Sequence, residues 1–150
     1  MPQTMEQRRA GLDLSQARHR DELLKMFPVM VKDSTVAGVP VRDVVPTTIK
    51  HKDREVICLH GGGFDADSGS YSESIPVAGL TGVRVVSVSY RLAPEHPFPA
   101  GVEDVIAVYK ELLKTIGFQV LPPSAMWRMV PFVPTVQPNW GSEKVTDSRS

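Results

Sequence analysis

Residues 57–70 read ICLHGGGFDADSGS, and three consecutive glycines, Gly61 to Gly63, stand at the centre of this stretch. The run Val56–Leu59 that leads into them is apolar and has the character of a short strand buried on both faces. Glycine lacks a Cβ atom and weakens the interior of a helix or strand, so three in a row indicate a loop that needs bare backbone. The sequence therefore predicts a buried strand that ends directly in a glycine loop.

Bare backbone after a strand has more than one use. Unobstructed N–H groups at Gly62 and Gly63, placed about 2.7–3.1 Å from a developing alkoxide, would stabilise an acyl-transfer intermediate. The same donors can cradle a phosphate, and residues 61–66 also satisfy the dinucleotide-binding pattern G-x-G-x-x-A. That pattern needs a carboxylate at the end of the next strand, whereas residues 89–91 are Ser-Tyr-Arg. A purely structural glycine turn is the third alternative.

Helical and extended patterns alternate along the chain. The predicted elements are a helix over 4–27, extended chain over 36–45 with a turn at 38–40, a strand over 56–59, a short helix over 72–80, a strand over 83–90 and a helix over 101–116. The last helix carries an apolar stripe of Val102, Val105, Ile106, Tyr109, Leu112 and Leu113. This order of elements predicts an α/β layered fold.

Composition excludes several classes of protein. The 150 residues suffice for one domain, and 17 basic against 17 acidic residues give no electrostatic basis for a nucleic-acid partner. No apolar run approaches roughly 18 residues, so no membrane span is predicted. The polar N-terminus lacks the apolar region of a secretory signal, and a cytoplasmic location is expected. The single cysteine, Cys58, lies in an apolar run and is expected to be a buried, inert thiol.

A second motif, YRLAPEHPFPA at residues 90–100, follows HGGGF at residues 60–64. Together these motifs closely resemble the hormone-sensitive-lipase-like branch of the α/β-hydrolase superfamily, which includes acetyl esterases and arylacetamide deacetylases. The resemblance implies a partial α/β-hydrolase fold, with the N-terminal strands and helices of a mostly parallel sheet. It divides the chain into a helical, cap-like segment over 1–35, the N-terminal part of the hydrolase domain over 36–117, and an irregular, disordered tail over 118–150.

The resemblance also implies roles for the residues around the glycines. Gly62 and Gly63 match the backbone donors of an oxyanion hole, and Gly61 matches the turn glycine beside them. His60 matches the loop histidine whose ring holds the glycine loop in shape, although an ordinary turn histidine is the alternative. Phe64 matches a residue that lines the acyl or alcohol pocket, with a place in the core as the alternative.

In the second motif, the resemblance implies that Arg91 and Glu95 hold the loop together by charge-assisted hydrogen bonds. The three prolines Pro94, Pro97 and Pro99 are expected to stiffen this loop. His96 has no partners at metal-ligand spacing and is expected to be structural. Neither a metal nor a cofactor is predicted.

The family's reaction needs a serine nucleophile in a G-x-S-x-G turn, followed by an acid and a histidine. None of the twelve serines has glycine both two before and two after it, so no nucleophile or triad acid and base is identified. The cluster Ser68, Ser70, Ser72 and Ser74 is interpreted as turn and helix-cap chemistry. The chain beyond about Gly117 is expected to be foreign to the family, as a shifted reading frame or an alternative exon would produce.

These observations favour a carboxylic ester hydrolase lineage that acts on a small-molecule ester, with a short acyl chain, through a serine acyl-enzyme. The chain keeps the oxyanion loop but lacks the nucleophile, so we expect it to be inactive alone. The alternative is a non-catalytic interaction or regulatory fragment derived from an esterase, which binds a paralogue through an exposed sheet edge.

Overall fold

The structure is a computed structural model that describes residues 4–115 of the 150-residue chain. The tail predicted over 118–150 lies outside these residues. The elements in chain order are α1 (Met5–Met26), β1 (Val29–Val36), β2 (Val39–Pro46), β3 (Glu55–Leu59), α2 (Ser70–Thr81), β4 (Arg84–Val88) and α3 (Ala100–Thr115). The predicted α/β fold is confirmed.

The four strands form one sheet in the order β1-β2-β4-β3. The pairs β1–β2 and β2–β4 are antiparallel, and β3 runs parallel to β4. The described part of the sheet is therefore mixed rather than mostly parallel. Arg84 on β4 links its own strand to both neighbouring strands by ion pairs. Its guanidinium binds Asp43 on β2 at 2.7 Å and Glu55 on β3 at 2.5 Å.

The prediction that residues 1–35 form one helical segment is wrong for its last part, since residues 29–35 belong to β1. Most of this strand is exposed, and its central Lys-Asp-Ser run obscured the apolar pattern in the sequence. The hairpin turn also lies earlier than predicted. Ala37 and Gly38 both have positive φ, at 50° and 81°, which is the geometry of a two-residue type I′ turn.

Helix α2 begins at Ser70, two residues before the predicted start. The carboxylate of Asp67 accepts hydrogen bonds from the backbone N–H groups of Gly69 and Ser70, at 3.2 and 3.0 Å. These are donors that the first turn of a helix leaves without an intrahelical partner, so the aspartate allows the helix to begin early. At the other end the left-handed residue Gly82, with φ of 70°, ends the helix after Thr81.

The core has two parts, one on each face of the sheet. One part packs β2 and β4 against α3, and it consists of Val39, Val41, Val86, Val88, Tyr90, Val108 and Leu112. The other packs the opposite face against α2, with Leu23 and Phe27 at the sheet-proximal end of α1, and it consists of Val44, Cys58, Ile75, Ala78 and Val85. Cys58 is thus buried as predicted, and burial raises the pKa of its thiol to about 11.

The predicted apolar stripe of α3 does not all face the core. Leu112 is buried, but Val102, Ile106 and Tyr109 are 42, 45 and 52% exposed. Asp104 and Val108 of this helix are buried instead. The helix takes this orientation because Asp104 binds Arg91. An apolar surface is left beside β3.

Within residues 4–115, β3 pairs with β4 alone and its outer edge has no partner strand. Val56 and Leu59 on this strand are 37 and 48% exposed. The described part of the chain therefore has the exposed sheet edge that the sequence analysis considered, and within it β3 is not buried on both faces as predicted. No helix in the same part is both long and apolar enough to cross a bilayer.

Candidate active site

His60 follows the last residue of β3 and is held by Tyr90, which lies just beyond the end of the neighbouring strand β4. The two rings stack with their centroids 4.2 Å apart and their planes within 7°. The Tyr90 hydroxyl donates to the backbone carbonyl of His60 at 2.7 Å. The histidine is buried, and its Nδ1 lies 2.9 Å from the carbonyl oxygen of Gly61. The start of the glycine loop is thus fixed from both ring and backbone.

The three glycines differ in what they require. Gly62 has φ of +125°, and a Cβ atom there would lie 2.0 Å from the carbonyl oxygen of Ala66. Gly63 has φ of +72°. Gly61 has no positive φ, and a Cβ atom there would meet the Ser68 hydroxyl at 3.5 Å, an ordinary contact. The backbone conformation therefore requires glycine at Gly62 and Gly63 but not at Gly61.

The backbone N–H groups of Gly62 and Gly63 donate to no protein acceptor within residues 4–115. Parallel pairing between β3 and β4 stops at Leu59, before the glycines begin. The loop is instead closed on itself by the Ser68 N–H, which donates to the Gly61 carbonyl at 3.1 Å. Two adjacent main-chain donors are consequently left without a protein acceptor in the described residues.

Phe64 ends the motif with a positive φ of 63°, and its side chain is 65% exposed. Among the residues that the structure describes, Phe64 is therefore not part of the core. Its ring lies 6.1 Å from that of Tyr90, and both border a groove of about 360 Å³. The groove is lined by Leu59, His60, Phe64, Tyr90, Gly101, Val102, Val105 and Ile106. The exposed face of α3 is therefore one wall of an apolar groove beside the glycine loop.

Asp67 anchors the far side of the loop to β2. Its carboxylate binds the guanidinium of Arg42 at 2.5 Å and accepts from the Ser70 hydroxyl at 2.6 Å. Burial by itself would raise the pKa of Asp67, but the hydrogen bonds from Ser70 and Arg42 lower it overall. The His60 Nδ1 lies 3.8 Å from the same carboxylate. A charged aspartate thus ties the loop, α2 and the sheet together.

Arg91 and Glu95 both make charge-assisted hydrogen bonds, as expected, but the charged partner of each lies outside the motif. Arg91 binds Asp104, with its Nε 3.0 Å from a carboxylate oxygen and its backbone N–H donating at 2.8 Å. Glu95 binds Arg9 of α1 through both carboxylate oxygens, at 2.9 and 2.8 Å. Helix α3 brings Asp104 under Arg91, and α1 brings Arg9 to Glu95, so each residue meets a partner that lies outside the motif.

The remaining residues of interest have local roles. The hydroxyls of Ser70, Ser72 and Ser74 donate to Asp67, to the Gly69 carbonyl and to the Ser70 carbonyl, so these three serines make local hydrogen bonds at the start of α2. His96 is exposed. No serine hydroxyl in the described ranges is hydrogen-bonded to a histidine ring. Nor do residues 4–115 contain three His, Cys, Asp or Glu side chains grouped as a metal site would need.

Sequence reasoning missed three residues that hold the loop: Tyr90, Asp67 and Arg9. A signal existed for Tyr90, because it is the last residue of the strand predicted over 83–90, and the carboxyl ends of parallel strands meet at one edge of a sheet. Arg9 lies more than 50 residues before the loop in a helix that reads as a polar surface helix, and no spacing pattern connects the two.

A family model for the alpha/beta hydrolase fold matches residues 56–133, just over half of the 150 residues. The chain belongs to the α/β-hydrolase family. The match to this family continues to residue 133, so it does not end at about Gly117, where the departure from the family was expected.

Similar proteins place the chain in the hormone-sensitive-lipase-like esterase branch of this family. Carboxylesterase NlhH of Mycobacterium tuberculosis is 34% identical over 106 residues, which are 63% of this chain and 33% of that protein. Arylacetamide deacetylase of Bos taurus is 37% identical over 90 residues, which are 57% of this chain and 23% of that protein.

Solved structures agree with the sequence comparison. A hormone-sensitive lipase from a metagenome library has a TM-score of 0.67 at 29% identity, covering 78% of this chain and 38% of that one. Esterase E25 has a TM-score of 0.64 at 34% identity, covering 76% and 37%. The chain therefore spans between 23 and 38% of the length of these relatives.

Proposed function

We propose that this chain carries the oxyanion-binding part of a carboxylic ester hydrolase, with the N–H groups of Gly62 and Gly63 as the two donors. The observation that supports this most directly is that both N–H groups are free of protein acceptors within residues 4–115. They lie in a loop whose two ends are anchored by Tyr90 and Asp67. In acyl transfer, such preorganised donors stabilise the negative oxygen of the tetrahedral intermediate, and each is worth about 10²–10³ in rate.

The substrate proposed is a small ester with a short acyl chain. The groove beside the glycine loop is apolar, since Leu59, Phe64 and Ile106 border it, and its volume is about 360 Å³. Phe64 would contact the acyl or alcohol part of the ester there. This chain is similar in sequence to carboxylesterase NlhH and to arylacetamide deacetylase. That similarity supports a substrate that reacts by acyl transfer.

The chain is proposed to be inactive by itself, because the reaction also needs a nucleophile and a base, and no serine lies in a G-x-S-x-G turn. An interaction or regulatory fragment is the second candidate. It is favoured by the unpaired outer edge of β3 within residues 4–115 and by the exposure of Val56 and Leu59 on that strand. An edge of this kind is a template for pairing with another chain.

The dinucleotide alternative has less support. A phosphate-binding glycine loop opens directly into a helix, whereas α2 begins at Ser70, after the loop has folded back on itself through Ser68 and Gly61. No carboxylate follows β4 at residues 89–91.

Oxyanion binding can be tested without turnover. Butyrate carries the negative oxygens and short acyl chain of the product, so its addition is expected to shift the ¹H–¹⁵N signals of Gly62 and Gly63. Gly82 is the matched control, because its N–H already donates to the Ala78 carbonyl at 2.9 Å and has no free donor to offer. Equal shifts at all three glycines, or none, would count against the proposal.

Catalysis is tested separately with p-nitrophenyl acetate on the full chain. We expect no release of p-nitrophenolate above the buffer rate. Turnover would show that a nucleophile is present after all, and replacing each serine in turn would then identify it. Light scattering on the purified chain, alone and with a full-length esterase of the same branch, tests the interaction fragment: a stable complex would support it.

A further inference from the structure

Arg9, in the first half of α1, contacts both loops of the site through one guanidinium group. Its Nε donates to the backbone carbonyl of Asp65 at 2.7 Å, just after the HGGGF motif. Its Nη2 donates to the backbone carbonyl of Ala93 at 2.6 Å, in the proline-containing loop. The same guanidinium grips Glu95 through two nearly parallel hydrogen bonds, at 2.9 and 2.8 Å. One side chain therefore joins two segments of the chain. The two carbonyls that it binds, those of Asp65 and Ala93, are 28 residues apart in the sequence.

The two loops are also bonded directly to each other at this point. The Ala93 N–H donates to the Phe64 carbonyl at 2.8 Å. The peptide units on either side of Asp65 are thus held from two directions, by Ala93 and by Arg9. This anchoring lies two residues after Gly63, whereas the hydrogen bond from Tyr90 is made before the glycines, at His60.

Glycine backbone samples more conformations than any other residue, so the direction of the Gly62 and Gly63 N–H groups depends on what fixes the chain at either side. His60 and Tyr90 fix the first side. On the second side, Arg9 supplies charge-assisted hydrogen bonds in the fixed fork geometry that arginine alone provides.

We propose that Arg9 is a positioning residue for the glycine loop, and that α1 acts through it as a latch that holds the glycine loop and the proline-containing loop in one arrangement. The contacts of Arg9 are independent of any reaction. Only the benefit of a fixed loop, which is oxyanion binding, rests on the proposed function. Hydrogen bonding to Arg9 lowers the pKa of Glu95 to about 2, which agrees with the close contact between the two groups.

The burial of α1 explains why Arg9 is important for holding the first half of this helix against the two loops. Gln16 is the only buried residue of the helix, and apolar packing against the sheet comes from Leu23 and from Phe27 beyond its end. The first half of α1 reaches the loops through arginines, with Arg8 binding the Asp65 carboxylate at 2.6 Å and Arg9 making the contacts described above.

Amide hydrogen exchange on the full chain tests the latch. Two N–H groups report on loop closure: Ala93, which donates to Phe64, and Ser68, which donates to Gly61. In R9Q both are expected to exchange at least about tenfold faster, the size typical of losing charged hydrogen bonds. R9K keeps the charge without the fork and is expected to restore only part of the protection.

The matched control is R20Q. Arg20 lies on the same helix but pairs with its neighbour Asp21 at 2.9 Å and contacts neither loop, so exchange at Ala93 and Ser68 is expected to stay at the wild-type rate. The Gly82 N–H separates positioning from general loosening, because Gly82 ends α2, the helix on which α1 packs. Loss of the latch leaves its exchange unchanged, whereas a merely structural role for Arg9 raises it in parallel.

Butyrate titration provides the second readout. The affinity measured from the Gly62 and Gly63 signals is expected to fall about fivefold or more in R9Q and to stay constant in R20Q. Wild-type exchange rates at Ala93 and Ser68 in R9Q, or an equal rise at Gly82, would overturn the latch. Faster exchange in R9Q together with no butyrate shift in the wild-type chain would uphold the latch and overturn the oxyanion function instead.

Discussion

Replacing Gly62 with alanine is the sharpest test of how the glycine loop is built. The new Cβ atom would lie 2.0 Å from the carbonyl oxygen of Ala66, a backbone atom that cannot rotate away as a side chain would. The residue would also have to keep a φ of +125° or rearrange the loop. Gly61→Ala is the matched control, because the same methyl group there meets only the Ser68 hydroxyl, at 3.5 Å.

The two substitutions differ in expected free energy of unfolding. A backbone held in a sparsely populated region costs about 1–3 kcal/mol. Overpacking of a tight contact costs about 1–3 kcal/mol more. Gly62→Ala is therefore expected to destabilise the protein by about 2–6 kcal/mol, while Gly61→Ala stays within about 0.5 kcal/mol. For a domain of this size, 2 kcal/mol corresponds to a drop in Tm on the order of 10 °C.

Thermal unfolding followed by circular dichroism measures the difference, with guanidinium unfolding as the second measurement. Gly61→Ala should also keep the butyrate-induced shifts of Gly62 and Gly63, because it leaves both donors in place. Equal Tm values for Gly61→Ala and Gly62→Ala would refute the reasoning, since the loop would then tolerate a side chain where the structure has no room for one.

Three further predictions concern Tyr90, the buried thiol of Cys58 and the ion pair of Glu95. Tyr90→Phe keeps the ring stacked on His60 but removes the bond to its carbonyl, so chemical denaturation should show a loss of about 1–2 kcal/mol; an unchanged midpoint would mean that stacking alone suffices. Burial raises the pKa of the Cys58 thiol from 9.0 to about 11, so at pH 8 Ellman's reagent should react about 100-fold more slowly with the native chain than with the unfolded chain; similar rates would contradict the burial. Glu95 is expected to titrate at about 2 by carbon NMR and to return toward 4.5 in Arg9→Gln; because its folded pKa is the lower one, the ion pair stabilises the fold above pH 4.5 and is lost as pH falls toward 2.

Much of the fold could be predicted because its signals are local. The run Val56–Leu59 before three glycines indicates a strand that stops, and β3 ends at Leu59. The sequence also predicted β4 and α3, whose patterns are strong and uninterrupted. It missed β1, because that strand is largely exposed and carries polar residues at its centre, so neither alternation nor a continuous apolar run marks it.

The candidate site was predicted only in its backbone. Gly62 and Gly63 could be singled out from the sequence because glycine has no side chain to cover its backbone. In the described ranges, the structure leaves their N–H groups without acceptors. Partners of charged residues were not predictable in the same way. The motif indicated that Arg91 and Glu95 make charge-assisted hydrogen bonds but not with which residues, and the structure shows that Arg91 binds Asp104 and Glu95 binds Arg9.

The order of residues along the chain was enough to establish that an apolar strand gives way to main chain without side chains, since chain stiffness and the absence of a Cβ atom act within a few residues. Folding in three dimensions settled how that main chain is held. Tyr90 reaches His60 only because β4 lies parallel to β3, and Arg9 reaches Asp65 only because α1 returns across the loops. Hydrogen bonds and ion pairs form wherever packing brings donor and acceptor within about 3 Å, and separation along the sequence does not set that distance.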